Sequence, residues 1–414
     1  MHVEHKDEEL EHLRDESFPQ DGRIPMKLKG QPLDLDVYET SDVLTNKHFQ
    51  DFEMHEFEKV YLPESMRPFT GLVPKETKTF IVDDNRGAVS ALPCLELDGT
   101  DFYLSVKGIG STTNPFSQQL LGKAEICGLL KDAKLKDRIV NSEEKAPRYI
   151  TGELWLRGSP YGGQGLEHAT TSLRVSEMAD LTSIHGFRIA PVVKISFLPE
   201  DLESKIKEIY WYRKFPGRIV QETRLVPSNV RVYFHSESTI GGNISAIYKL
   251  FEIDDNEKAL EFLKNFVKSG ISFLTLFIRS MRSNEDGTYS GLDFYDVWLD
   301  KDAVLAPDGT IYFVDLEGLE WITAPEKKVH EKIDDQIYRS LYEFMYAYEQ
   351  IERERGRRFG HLMERKTQFE YLLREALKDD DVVKVKRDKD RLQLVLGNIL
   401  GEKRLMREFP IIDW

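Results

Sequence analysis

Residues 296–321 read DVWLDKDAVLAPDGTIYFVDLEGLEW, and the way this stretch doubles back decides the organisation of the chain. Asp302 opens a short apolar run, Ala303-Val304-Leu305-Ala306; Pro307-Asp308-Gly309 supplies turn chemistry; Ile311-Tyr312-Phe313-Val314 returns to Asp315. Proline presets φ for a turn and glycine admits positive φ, so the two runs are expected to pair as an antiparallel hairpin. Such pairing brings its outer residues, Asp302 and Asp315, near each other. Two convergent carboxylates make a hard-oxygen site suited to Mg²⁺ or Mn²⁺ with nucleotide phosphates, although an acid-flanked surface hairpin has the same pattern.

On both sides of the hairpin, residues 256–282 and 330–379 alternate apolar and charged positions with a period near 3.6, which predicts a mainly helical second half. The first half is β-prone. FIVDD, ALPCLELDG and DFYLSVKGIG follow one another from Thr79, with Asp98-Gly99 marking a hairpin turn. Residues 118–138 have helical spacing, 141–147 form a polar loop, and YITGELWLRG is strand-like. A glycine-rich loop, Gly162-Gly163-Gln164-Gly165, then precedes a helix expected over 167–183. RIAPVVKISFLP and RIVQETRLVPSNVRVYF are further strands, whereas residues 1–65 have weak periodicity and are expected to form an arm or peripheral helices. The plan is α+β and two-lobed: an extension over 1–70, a β-rich N-lobe over 71–250 and a mainly helical C-lobe over 251–414. A ligand is expected between the lobes.

Composition narrows the function classes. The 414 residues are 40% apolar and 11% aromatic, enough for a sizeable core. A net charge of −15 argues against a nucleic-acid coat, which needs an excess of Lys and Arg. Two cysteines, Cys94 and Cys127, build no disulfide framework and point to a reducing compartment. No run approaches 18 apolar residues and the first residues are charged, so the expectation is a cytoplasmic protein without membrane or nucleic-acid partners.

Several other residues have the chemistry of a nucleotide site. Lys107 ends an apolar strand, from which its ammonium can reach phosphates as a mobile point charge. Gly163 and Gly165 offer bare backbone N–H groups ahead of a helix N-terminus. Glu177, on that helix, is the candidate partner for Lys107, with Glu167 as rival. Arg224 and Arg231 flank Pro227-Ser228, whose bend would turn both guanidinium forks toward one pocket.

The hairpin resembles the catalytic-loop and Asp-Phe-Gly region of protein kinases, with 13 positions from Asp302 to Asp315. Asp302 stands where that family has Asn, and Asp315-Leu316-Glu317-Gly318 replaces Asp-Phe-Gly. The kinase His-Arg-Asp is absent; Asp296 and Asp300 are alternatives for the base. Taken in order, four segments resemble the selenoprotein O family of kinase-fold proteins: KGIGSTTNPFS, GGQGLEHATTSLR, RLVPSNVR and the hairpin, together covering roughly residues 100–320. That resemblance implies ATP bound in a flipped orientation and AMP transferred to protein Ser, Thr or Tyr hydroxyls. It implies phosphate contacts from Lys107, Gly163, Gly165, Arg224 and Arg231, Mg²⁺ or Mn²⁺ on Asp302 and Asp315, and a base at Asp296 or Asp300. The chain departs from the family at Gln164, where the family has Asp, and at Ser290-Gly291, where it has His-Gly; an ungapped match puts Val175 at the helix glutamate.

Other classes share parts of this pattern. A phosphate-transferring kinase needs the same residues, and a nucleotide-binding pseudokinase fits the missing His-Arg-Asp. A ligase-type covalent nucleotidyltransferase is suggested by Lys107-Gly108-Ile109-Gly110, a partial match to Lys-x-Asp-Gly without its Asp.

Overall fold

A computed structural model describes residues 31–40, 42–50, 59–63, 73–82, 87–97, 99–108, 164–184, 187–209, 217–231, 247–294, 302–360, 368–369, 371–372 and 375–376. The chain is mixed α+β and divides into two compact units. One comprises Met1–Glu177 with Pro191–Asn229, the other Met178–Ala190 with Val230–Trp414. The expected helix at 118–138 and the strand at 149–158 lie outside the described residues. Among the described residues no helix is long and apolar enough to cross a membrane.

The first unit is built on one antiparallel sheet. Its strands are β1 (Gln31–Glu39), β2 (Val43–Thr45), β3 (Lys59–Pro63), β4 (Glu76–Val82), β5 (Gly87–Leu97), β6 (Thr100–Lys107), β7 (Gln164–Gly165), β10 (Val192–Phe197) and β11 (Ile219–Val226). The order is β2-β10-β11-β6-β5-β4-β1-β3, with β7 beside β11. Residues 31–63, expected as an arm or peripheral helices, therefore supply three strands of the sheet. Their signal is the alternation Leu33-Asp34-Leu35-Asp36-Val37, a period of two that places Leu35 and Val37 in the core. β5 and β6 pair out to Leu97↔Thr100, and Gly99 takes φ +74°, as a two-residue hairpin loop requires.

The sheet curls so far that its edge strand returns to its middle. Tyr61 of β3 is fully buried; its N–H donates to Gln221 Oε1 at 2.7 Å and its carbonyl accepts from Gln221 Nε2 at 2.5 Å. The amide of a β11 side chain thus satisfies the backbone of β3 as another strand would. Gln221→Leu should leave both Tyr61 groups buried and unpaired, lowering stability by about 2–3 kcal/mol. Chemical denaturation measures this, and a loss below about 0.5 kcal/mol would contradict the clamp.

Helix α1 (Leu166–Met178) packs on this sheet through Ala169 and Leu173 against Val192, Ile195 and Val220. It ends short of the expected residue 183 because the chain turns at Leu181 (φ +52°) into β8 (Ser183–Ile184) and β9 (Phe187–Arg188). Helix α2 (Glu200–Ile209) is tied to the start of β11 by Glu203, which accepts from Arg218 Nε at 2.6 Å and from the Ile219 N–H at 3.1 Å.

The second unit centres on two long helices, α3 (Asn256–Ser280) and α4 (Glu326–Phe359). Asp255 caps α3 by accepting the Lys258 N–H at 2.8 Å. The helices approach closely at Gly270, where a Cβ would stand 2.3 Å from the Phe344 ring, and Phe266 stacks on Phe344 nearby. The expected picture of helices with one embedded hairpin needs a correction. A three-stranded sheet, β12 (Arg282–Ser283), β13 (Tyr289–Phe294) and β16 (Leu319–Ala324), also lies between α3 and α4 in sequence. The hairpin β14 (Ala303–Leu305) and β15 (Ile311–Phe313) is inserted within it. The order β12-β13-β16 joins strands far apart in sequence, which local periodicity does not reveal.

The turn of β14–β15 sits hard against α3. Gly309 has φ +94°, and a Cβ there would lie 2.1 Å from the Phe262 carbonyl oxygen. Asn265 Nδ2 donates to the Asp308 carbonyl, and the Ile311 N–H donates to Ser269 Oγ. Asp308 closes the loop by accepting the Thr310 N–H at 2.8 Å, as Asp286 does for Thr288 in the β12–β13 turn. Phe313 then packs into a ring cluster with Phe187 and Phe273. Gly309→Ala should cost about 2–3 kcal/mol, because backbone strain and overlap with the Phe262 carbonyl add. A thermal unfolding scan checks this; an unchanged midpoint would mean that the turn does not press on the helix.

Candidate functional site

Each unit positions a set of charged residues. In the second unit the expected hairpin is present, with Ala303↔Phe313, Val304↔Tyr312 and Leu305↔Ile311 in register. One further backbone bond, Val314 N–H to the Asp302 carbonyl at 2.8 Å, extends the pairing to its open end. Asp302 is thus opposite Val314, and Asp315 is the next residue along. Asp302 is buried at 3% exposure; Asp315 is half-buried and begins the 3-10 turn Leu316–Gly318 without capping it through its side chain.

The hairpin is flanked on both edges. Arg231 bridges Val304 in antiparallel fashion and the Leu305 N–H donates to the Val230 carbonyl. On the other edge Ile189 bridges Phe313 in parallel fashion. This extended ladder, pinned to α3 at Gly309, places Arg231 on the strand next to the one that leads from Asp302.

Asp302 and Asp315 are carboxylates, the ligand type that a hard cation takes, offset by one position across the pairing. Among the described residues no group of three or more His, Cys, Asp or Glu gathers at ligating distance. One or two carboxylates completed by phosphate oxygens and water is a common way for proteins to hold Mg²⁺. Asp296 and Asp300 lie outside the described residues.

In the first unit, Lys107 ends β6, half-buried, with Gly87 of β5 on one side and Glu222 of β11 directly opposite on the other. Directly opposed residues of an antiparallel pair share a face, with Cβ atoms about 5 Å apart. Arg224, two positions beyond Glu222, is on that face too, opposite Ser105. Glu222 and Arg224 form an ion pair and are 0% and 3% exposed. One sheet face thus carries Lys107, Glu222 and Arg224 in a row.

Glu177 is engaged elsewhere. Its carboxylate accepts the Lys47 N–H at 3.2 Å and its carbonyl contacts His48 Nε2 at 3.1 Å, so the end of α1 fastens the 3-10 turn Lys47–Phe49. The rival Glu167 is exposed. The buried face of α1 consists of Ala169, Ser172, Leu173, Val175 and Ser176, none of them acidic. Strand β11 places a carboxylate, Glu222, directly opposite Lys107. The sequence signal for Glu222 is Glu222-Thr223-Arg224, two charges at strand spacing within IVQETRLV, a strand buried along its whole length.

The remaining expected residues divide between the units. Gly165 is buried in β7, paired with Ile219 immediately before α1, whereas Gly163 lies outside the described residues. Arg224 belongs to the first unit and Arg231 to the second, the chain crossing after the buried Ser228 and Asn229. Ser290, which stands for a histidine in the family resemblance, lies in β13 and shares hydrogen bonds with Asn284 and Thr323. Gly291 beside it admits α4: a Cβ there would meet Val329 Cγ1 at 3.0 Å.

No family model matches the chain, and no curated protein matches its sequence significantly.

Proposed function

We propose that the protein is an ATP-dependent transferase with a bilobal, protein-kinase-like fold that passes AMP from ATP to hydroxyl groups of a protein substrate. The observation that carries this reading is the hairpin bearing Asp302 and Asp315 at its open end, pinned to α3 and bordered by Arg231. A pair of acids for a metal and a cation for phosphate, held on rigid backbone, is what phosphoryl-type transfer asks of a protein. The first unit, taken by itself, carries Lys107 and Arg224 beside Glu222, two cations of the type that binds phosphate.

In this mechanism Asp302 and Asp315 would hold Mg²⁺ or Mn²⁺, which would neutralise phosphate charge and polarise phosphoryl oxygens. Lys107 and Arg224 bind triphosphate oxygens, and Arg231 balances charge beside the hairpin. Asp296 or Asp300 accepts the proton of the acceptor hydroxyl, a contribution of roughly 10²–10⁴-fold in rate. The hydroxyl oxygen forms a bond to the α-phosphorus, the bond from that phosphorus to the bridging oxygen breaks, and pyrophosphate leaves with the electron pair.

Parallel incubations with ATP labelled at the α- or the γ-phosphate test the reaction. Label on protein from the α-position alone is the expected result. Label from the γ-position alone would make the protein a kinase, and stabilisation by ATP with Mn²⁺ without transfer of either label would make it a nucleotide-binding pseudokinase.

A further inference from the structure

Glu222 has no counterpart in the functional scheme as read from the sequence, yet it occupies the centre of the charged row. It is fully removed from solvent, ion-paired to Arg224 on its own strand and directly opposite Lys107 on the neighbouring one. Removing a carboxylate from water costs several kcal/mol unless cations compensate it, so its place between two of them is not an incidental surface arrangement. The same argument runs in the other direction. Lys107 and Arg224 sit diagonally on adjacent strands, close enough to repel, and the carboxylate between them holds both on one face. Helix α1 covers the adjoining part of that face through Val192, Ile195 and Val220, so the row borders a packed wall instead of lying on an open sheet.

We infer that Glu222 is a positioning residue that presents Lys107 and Arg224 together to the phosphates of a nucleoside triphosphate. This rests on the nucleotide-binding reading above and adds the residue that orients its cations. A group that only screened the two cations would weaken their pull on an anion. A group that orients them strengthens it, because each donor arrives pre-aligned and less side-chain freedom is lost on binding. The two roles predict opposite signs when the charge is removed.

The test is calorimetric titration of the full chain with ATP and Mg²⁺, comparing the wild type with Glu222→Gln, alongside the unfolding midpoint of each without nucleotide. Glu222→Gln is expected to bind ATP about tenfold more weakly. Affinity equal to or tighter than wild type would overturn the positioning role while leaving the nucleotide-binding reading intact. A wild type that takes up no ATP would remove that reading and this inference with it. If Glu222→Gln does not fold, Glu222→Asp decides: it keeps the charge but draws it back by one methylene. Weaker ATP binding by that variant supports positioning, and unchanged binding rejects it.

Discussion

Arg355→Met is expected to cost the fold about 3–5 kcal/mol, because it strands a carboxylate in the core of the second unit. Arg355 and Glu352 are both fully buried on α4. The guanidinium donates to Glu352 through Nε at 2.6 Å and Nη2 at 2.7 Å, and its Nη1 reaches Asn256 Oδ1 at 2.5 Å and the Gly360 carbonyl at 3.3 Å. One side chain therefore joins the start of α3 to the end of α4. Gln368 donates to Glu352 at 3.3 Å, which extends the network to the residues after α4. Nearby, burial holds the Tyr248 phenol well above its ordinary range, with Glu352 adding to the effect, and that hydroxyl donates to the Ile351 carbonyl. Methionine keeps most of the volume of arginine, so the loss would come from the unpaired charge and not from a cavity. Glu352→Leu together with Arg355→Met removes both charges and should recover most of the stability. Urea unfolding of the three variants checks this; a single-variant loss below about 1 kcal/mol would mean that the pair is dispensable.

Asp315→Ala is expected to lower AMP transfer by about 10³-fold, with a smaller loss of stability than Asp302→Ala. The residue is half-buried and its side chain does not cap the turn it begins. Asp302→Ala should lose activity as well but also stability, since Asp302 is 3% exposed within the docked hairpin. The contrast separates a metal-binding role from a packing role. Circular dichroism and a melting curve establish that each variant is folded, and transfer of label from α-labelled ATP gives the rate. Wild-type transfer by Asp315→Ala would remove the metal assignment.

The elements legible in the sequence are those that local chemistry specifies. Asp308-Gly309 between two apolar runs can hardly avoid a tight turn, and β14–β15 pair in the register that this turn imposes. α3 follows from its apolar period and from Asp255 at its N-terminus. The strands β1–β3 were less legible, because β2 and β3 are only three and five residues long and too short to show a firm alternation of their own. The candidate site was legible in part. Lys107 at a strand end and the two acids of the hairpin were visible as residue types in context, but Glu222 was not, since its partner strand lies more than a hundred positions away.

The sequence by itself determined the kinds of element and several of their ends, because helix period, strand alternation and turn propensity act over a few neighbouring residues. Tertiary structure alone decided which charges meet. It gave Lys107 a carboxylate from β11 and set Glu177 to fastening the Lys47 turn. The physical reason is that pairing a buried charge depends on which strand lies alongside it, and strand order is settled by the burial of the whole sheet, not by any local run of residues.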